Sequence, residues 1–254
     1  MLKKNAVRPG ALPGLLMTGK EIAMRICGLQ TLSMVDYPGK LAATVFTGGC
    51  NLRCPFCHNA LLVTRLEESP TLQQEEVLAF LKRRRGLLDG VVLSGGEPLI
   101  QSGVPEFLQK VRSLGFSIKL DTNGCYPDAL EALLDQGLAD YVAMDVKNAP
   151  EHYAQTVGIP DFDPAVIARS AAVLAHSGVD YELRTTVVRE LHTVADIAAI
   201  GAWMQGAPRY FLQCFVDSGA LISPGFHAPD RADLEKMLQA ARPFFGETAL
   251  RGVD

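Results

Sequence analysis

Along this chain the apolar residues gather in short runs, and the runs alternate with stretches of helical spacing. Six runs stand out: 41–46 (LAATVF), 90–94 (GVVLS), 116–120 (FSIKL), 141–146 (YVAMDV), 181–188 (YELRTTVV) and 209–215 (RYFLQCF). They are short and rich in Val, Ile, Leu and Phe, as buried parallel strands are. Helices are predicted over 71–85, 105–114, 127–136, 164–177, 193–205 and 229–241. The first opens on Thr71 as a cap, has acids in its first turns and closes on basic residues before Gly86, which suits the helix dipole. The second begins with Pro105 and ends before Gly115. Six strand–helix units in succession predict an α/β fold built on a parallel sheet with crossover helices. Six are too few for a closed eight-stranded barrel. The expected architecture is therefore an open partial (β/α)6 barrel, with a flat doubly wound sheet as the alternative.

Composition narrows this picture only in part. The 254 residues, 48% apolar and 20% charged, are those of an ordinary soluble globular protein. A single domain is expected over 25–254. Residues 1–24 stand outside the pattern: their short apolar piece is broken by prolines and glycines, so they read as a flexible extension, or as sequence ahead of a start at Met24, and not as an export signal. A net charge of −4 makes no electrostatic case for nucleic acid or an anionic membrane. No apolar stretch approaches the roughly 20 residues that span a bilayer.

The cysteines change the picture more. Of six, Cys50, Cys54 and Cys57 form a C-x3-C-x2-C run, while Cys27, Cys125 and Cys214 are scattered. A tight cluster in a chain without an export signal favours metal binding over disulfides, and places the protein in a reducing cytoplasm. The run follows the first expected strand. SGGEP (94–98) follows the second, DTNG (121–124) the third, and MDVK (144–147) closes the fourth; Arg184 lies in the fifth and QCF ends the sixth. Ligand sites in parallel α/β folds form at the carboxyl ends of strands, so these motifs are expected to converge on one mouth. Read from the residues alone, the metal stays open. A zinc ion on the three cysteines and His58 would require adjacent residues, Cys57 and His58, to aim at one tetrahedral centre. An iron–sulfur cluster on three thiolates would leave one iron free for an exchangeable ligand.

The cysteine run, with Phe56 before the third Cys, resembles the signature of the radical S-adenosylmethionine superfamily, and SGGEP is similar to that superfamily's Gly-Gly-Glu motif. The resemblance covers about residues 25–220. It implies a partial barrel of that type with a 4Fe–4S cluster on Cys50, Cys54 and Cys57, its fourth iron chelated by the amino and carboxylate groups of S-adenosylmethionine. Phe56, Gly95, Gly96 and Glu97 then count among the cofactor-binding residues. The two glycines lack a Cβ and can bring backbone close to a ligand, and Glu97 would accept from the ligand's ammonium. Residues 58–94 hold no cysteine, so a single cluster is expected.

DTNG is also good turn chemistry in its own right. Asp121 and Asp145 end successive strands, and acids paired there need a proton, a cation or a cationic partner such as Lys147. LDTNG and MDVK resemble motifs of the glycyl-radical-enzyme activases. That resemblance implies that Asp121, Thr122 and Asp145 surround a monovalent cation and the ligand, with Asn123 beside them, and that Lys147 pairs with the ligand carboxylate. Arg184 matches the same family's IR-x-V-V strand and would face the ligand, unless it is spent in a salt bridge to Glu182 or another rim acid.

Residues 28–63 resemble, more narrowly, activating proteins of anaerobic ribonucleoside-triphosphate reductase, with DYPGK (36–40) a tight turn set by Pro38 and Gly39. The function so implied is reductive cleavage of S-adenosylmethionine to place a glycyl radical on a partner enzyme, most simply that reductase, with reduced flavodoxin or ferredoxin as electron donor. The alternatives are an activase of the pyruvate formate-lyase type and a small-molecule radical enzyme such as a 7-carboxy-7-deazaguanine synthase. A non-catalytic zinc or iron–sulfur module would leave SGGEP, DTNG and MDVK unexplained. Lone Cys27, Cys125 and Cys214 read as buried small hydrophobes, Cys125 with a place near the mouth. KRRR (82–85) reads as a solvated helix end.

Overall fold

The computed structural model describes residues 24–253. Of the expected extension, 1–23 lie outside the described residues; Met24 is buried against the core.

The six expected strands are all present: β2 (Ala42–Thr47), β3 (Gly90–Gly95), β4 (Ser117–Thr122), β5 (Tyr141–Asp145), β6 (Asp180–Val187) and β7 (Arg209–Cys214). They lie side by side in chain order, each parallel to the next. Two further strands correct the six-unit reading. β1 (Ile26–Ser33) runs antiparallel to β2, and β8 (Glu247–Arg251) extends the parallel sheet beyond β7. Both are edge strands, and neither carries the apolar run of a strand covered on both faces: β1 is half exposed along its length and no residue of β8 is fully buried. The eight-stranded sheet is open, in the order β1 to β8.

The helices are α1 (Ala60–Thr64), α2 (Gln74–Arg83), α3 (Val104–Ser113), α4 (Pro127–Asp135), α5 (Pro150–Val157), α6 (Ala165–Ser177), α7 (Val194–Trp203) and α8 (Arg231–Ala241). The short α1 and α5 were not expected from the pattern. α2 begins later than Thr71 implies, because the backbone N–H of Leu72 is drawn into a bond with the Ile26 carbonyl (2.9 Å) and the cap passes to Gln73. The predicted turn at 37–40 forms, with Lys40 N–H donating to the Tyr37 carbonyl (3.1 Å) and Gly39 at φ +70°.

Strand alternation sorts the sheet into two unlike faces. Ile118, Leu120, Val142, Met144, Leu183 and Leu212 point to the main core, where the helices lay Phe107, Leu108, Leu130 and Ile197. The other face bears Lys119 and Asp121 from β4, Asp145 from β5, Glu182 and Arg184 from β6, and Arg251 from β8, held in ion pairs with one another. Arg184 of β6 reaches Asp121 of β4, two strands away, as a concave face permits. The parallel strands therefore aim their carboxyl ends, and a polar inner face, at one mouth.

Candidate active site

Beyond β2 and β3 the chain must fold two loops against each other. Gly96 makes that contact: a Cβ there would lie 1.9 Å from the Gly49 carbonyl oxygen. Glu97 N–H donates to the same carbonyl (2.8 Å) and Gly96 N–H to that of Thr47 (2.9 Å). Gly95 and Gly96 thus seat the cysteine loop on the end of β3 as well as facing the cleft beside it.

The cysteine loop is braced by backbone bonds. Cys57 N–H donates to the Cys54 carbonyl (3.0 Å), Arg53 N–H to that of Val157 (2.9 Å), and the Arg53 guanidinium to the carbonyls of Cys50 (2.7 Å) and Leu52 (2.8 Å). Phe56 is buried, edge-on to Phe215 (6.5 Å) and Phe226 (6.4 Å), and Ser223 N–H donates to the Pro55 carbonyl (2.8 Å). The segment after β7 therefore straps the loop down.

All six cysteines are free thiols. Cys50, Cys54 and Cys57 line one cavity of about 310 Å³, near the small end of the range for small-molecule sites. Burial, with the neighbouring cysteines adding to it, pushes the Cys50 thiol up to about 11 and Cys54 to about 12. Such thiols ionise in exchange for a metal. Among the described residues no group of three His, Cys, Asp or Glu side chains is arranged to hold a single metal ion. Three thiols around one cavity fit the corners of a larger cluster. Cys125 does not join them: its backbone closes a turn on the Asn123 side chain (3.0 Å), and burial raises its thiol to about 12. His58 sits at the cavity's exposed edge.

The strand ends meet the thiols across this cavity. Its lining includes Phe56, Gly95, Gly96, Asp121, Thr122, Asn123, Asp145, Lys147 and Arg184. Asn123 Nδ2 donates to Asn51 Oδ1 (2.8 Å) and approaches Cys50 Sγ (3.7 Å). Arg184 is spent on rim acids and not on Glu182: its Nε donates to Asp145 (2.6 Å) and its Nη2 lies 3.4 Å from Asp121. Lys147 Nζ holds the other oxygen of Asp145 (2.9 Å). Burial alone would raise both carboxyls, yet Arg184 with Lys119 holds Asp121, and Arg184 with Lys147 holds Asp145, below the usual carboxylate range.

Glu97 behaves differently from expectation. Fully buried behind the lining, it accepts from Leu99 N–H (3.0 Å), Thr122 Oγ1 (2.8 Å) and Asn123 N–H (2.7 Å), and its side chain does not face the cavity. It orients the DTNG turn, which orients the ligand-facing atoms. Sequence reasoning also missed Lys119, whose ammonium bonds Asp121 (2.6 Å) from the same face of β4; a two-residue spacing from Asp121 was the available signal. Asn59, Ser94, Thr186 and Gln213 line the cavity too and were not among the expected site residues.

Over residues 44–196 the sequence matches the radical SAM superfamily. It is 30% identical over 238 residues to a protein of Methanocaldococcus jannaschii provisionally named as a glycyl-radical enzyme activating enzyme, covering 90% of this chain and 96% of that one. It is 30% identical over 196 residues to the 7-carboxy-7-deazaguanine synthase of Methanopyrus kandleri, covering 70% and 74%. The fold is like that of Streptococcus suis SuiB bound to S-adenosylmethionine, with a TM-score of 0.63 at 15% identity; 80% of this chain superposes on 48% of SuiB, about half its length.

Proposed function

The chain belongs to the radical SAM superfamily, whose members use a 4Fe–4S cluster and S-adenosylmethionine, and we propose that it is a glycyl-radical-enzyme activase. One observation carries the reading: three thiols and no fourth share a cavity with the polar ends of β3 to β6. Cys50, Cys54 and Cys57 would hold the cluster, leaving one iron for S-adenosylmethionine. Together the two would supply one-electron reductive cleavage of the sulfonium, the electron coming from an external donor, and so the means to remove the hydrogen atom from a glycine Cα.

The chain's own residues bind, orient and shield. Lys147 and Arg184 place positive charge on the cavity wall, where a ligand carboxylate would be matched. Gly95 and Gly96 present backbone there, and Asn123 is aimed by Glu97 toward Cys50. Phe56, clamped between Phe215 and Phe226, closes the cavity's apolar side against water. Hydrogen-atom abstraction moves proton and electron together, so no side-chain base is required.

We favour anaerobic ribonucleoside-triphosphate reductase as partner on the resemblance of residues 28–63, and a reduced flavodoxin or ferredoxin as donor, which places the reaction in a reducing cytoplasm. No helix among the described residues is long and apolar enough to cross a membrane. The test is anaerobic reconstitution with iron and sulfide, reduction, and electron paramagnetic resonance of mixtures with candidate partner enzymes. A glycyl radical on the reductase supports the full reading, and one on pyruvate formate-lyase instead moves the partner. The match to a deazaguanine synthase favours a second reading. Cleavage of S-adenosylmethionine that depends on a small-molecule substrate, with no protein radical on any partner, would establish it in place of the first.

A further inference from the structure

Asp121, Thr122 and Asp145 are the residues to which resemblance assigns a monovalent cation, and their surroundings do not fit one. Every carboxylate oxygen already has a donor from the chain. Asp121 Oδ1 takes Lys119 Nζ (2.6 Å), and Oδ2 takes Ser94 Oγ (3.0 Å) with Arg184 Nη2 at 3.4 Å. Asp145 Oδ1 takes Arg184 Nε (2.6 Å) and Oδ2 takes Lys147 Nζ (2.9 Å). Thr122 Oγ1 donates to Glu97 and accepts from Gly124 N–H (3.2 Å).

The charges decide the matter further. Two carboxylates face three side-chain cations, Lys119, Lys147 and Arg184, which leaves one positive charge in excess. An added metal cation would raise that excess in a region where these groups are largely withdrawn from water, so the interior opposes it. The same excess suits an anion arriving from the cavity, since Lys147 and Arg184 line it. Lys119 differs from the other two: its side chain is 3% exposed, it is absent from the cavity lining, and its contact is Asp121. It is not placed to meet a ligand. Its ammonium, close in size to a potassium ion, bonds an Asp121 oxygen as a cation there would.

We propose that Lys119 is the built-in cation of this site and that the protein binds no potassium or sodium between Asp121 and Asp145. Lys119 is thus a positioning residue: it holds Asp121 and leaves Lys147 and Arg184 charged toward an incoming carboxylate. The ligand part of this rests on the reading of the cavity as an S-adenosylmethionine site, whereas the cation part does not.

The first experiment uses the full chain without cluster, melted at constant ionic strength in choline, sodium, potassium or ammonium chloride. The wild type is expected to melt within about 1 °C in all four. Lys119→Met is expected to melt about 5 to 10 °C lower in choline, and to recover part of the loss in potassium or ammonium but not in choline. A saturable, size-selective gain by the wild type overturns the proposal, and so does a folded Lys119→Met that responds to no ion. If Lys119→Met does not fold, thallium-205 resonance of the wild type decides: a bound thallium signal displaced by potassium overturns it, and its absence supports it. The second experiment measures S-adenosylmethionine affinity and cleavage by the reconstituted wild type in choline and in potassium. Equal values are expected, and a several-fold gain in potassium overturns the proposal. No cleavage in either salt would sink the activase reading and leave the melting result to stand by itself.

Discussion

Glu97 shows how a buried residue shapes the cavity without lining it. Buried with three donors around it, its carboxyl is nevertheless raised to about 7, burial outweighing the hydrogen bonds from Asn123, Leu99 and Thr122. The unfolded chain releases this proton near the ordinary value of 4.5. Between pH 4.5 and about 7 the folded protein therefore holds a proton the unfolded one has lost. The stability Glu97 adds is complete below 4.5 and disappears as pH rises through 7. Glu97→Gln should flatten this fall: the melting-temperature difference between variant and wild type should move in the variant's favour from pH 5 to about pH 8. A constant difference across that range would show that Glu97 ionises in the folded state as it does in water. At this scale the motif was legible and the direction of the side chain was not. Nothing in SGGEP says that the carboxylate turns back under the DTNG turn, since that depends on how closely two loops from different strands approach.

The elements carry a comparable mixture. Six strands were legible because each is short, rich in apolar residues and lays one face against the helices of the main core. β1 and β8 were not, because an edge strand owes its place to the neighbour it pairs with. β8 matters despite its weak pattern. Its Arg251 reaches Glu182 through two bonds (2.6 and 2.9 Å), beside a third from Tyr141 (2.7 Å), and stacks 3.5 Å over Phe211. Glu182 is 1% exposed. Arg251→Met should strand that carboxylate and cost about 3 kcal/mol or more, lowering the melting temperature by roughly 6 °C or more. Glu182→Gln in the same chain should restore much of the loss; equal losses in the single and double variants would show that the pair contributes only packing. The partner of the strap after β7 was not legible, since Phe226 finds Phe56 across 170 residues of sequence.

For the whole molecule, the open sheet leaves the thiols of one loop and the polar ends of four strands around a cavity that a cluster would fill. Metal should therefore tighten one end of the molecule and not the other. On anaerobic loading with iron and sulfide, amide exchange should slow in residues 47–59 and 121–125 and stay nearly unchanged in β7 and β8. The melting temperature should rise by several degrees, as a ligand bound only by the folded state requires. Chelation should reverse both changes, and Cys54→Ser should prevent them. Uniform protection, or none, would place the metal elsewhere. The amino-acid sequence by itself determined the α/β class, the existence of the six inner strands and the candidate ligands of the metal, because these depend on local periodicity and on residue types at short spacing. Only the tertiary structure decided which charges meet. Lys119, Arg184, Asp121 and Asp145 lie on three strands, and their pairing follows from sheet register and curvature, which no local pattern encodes.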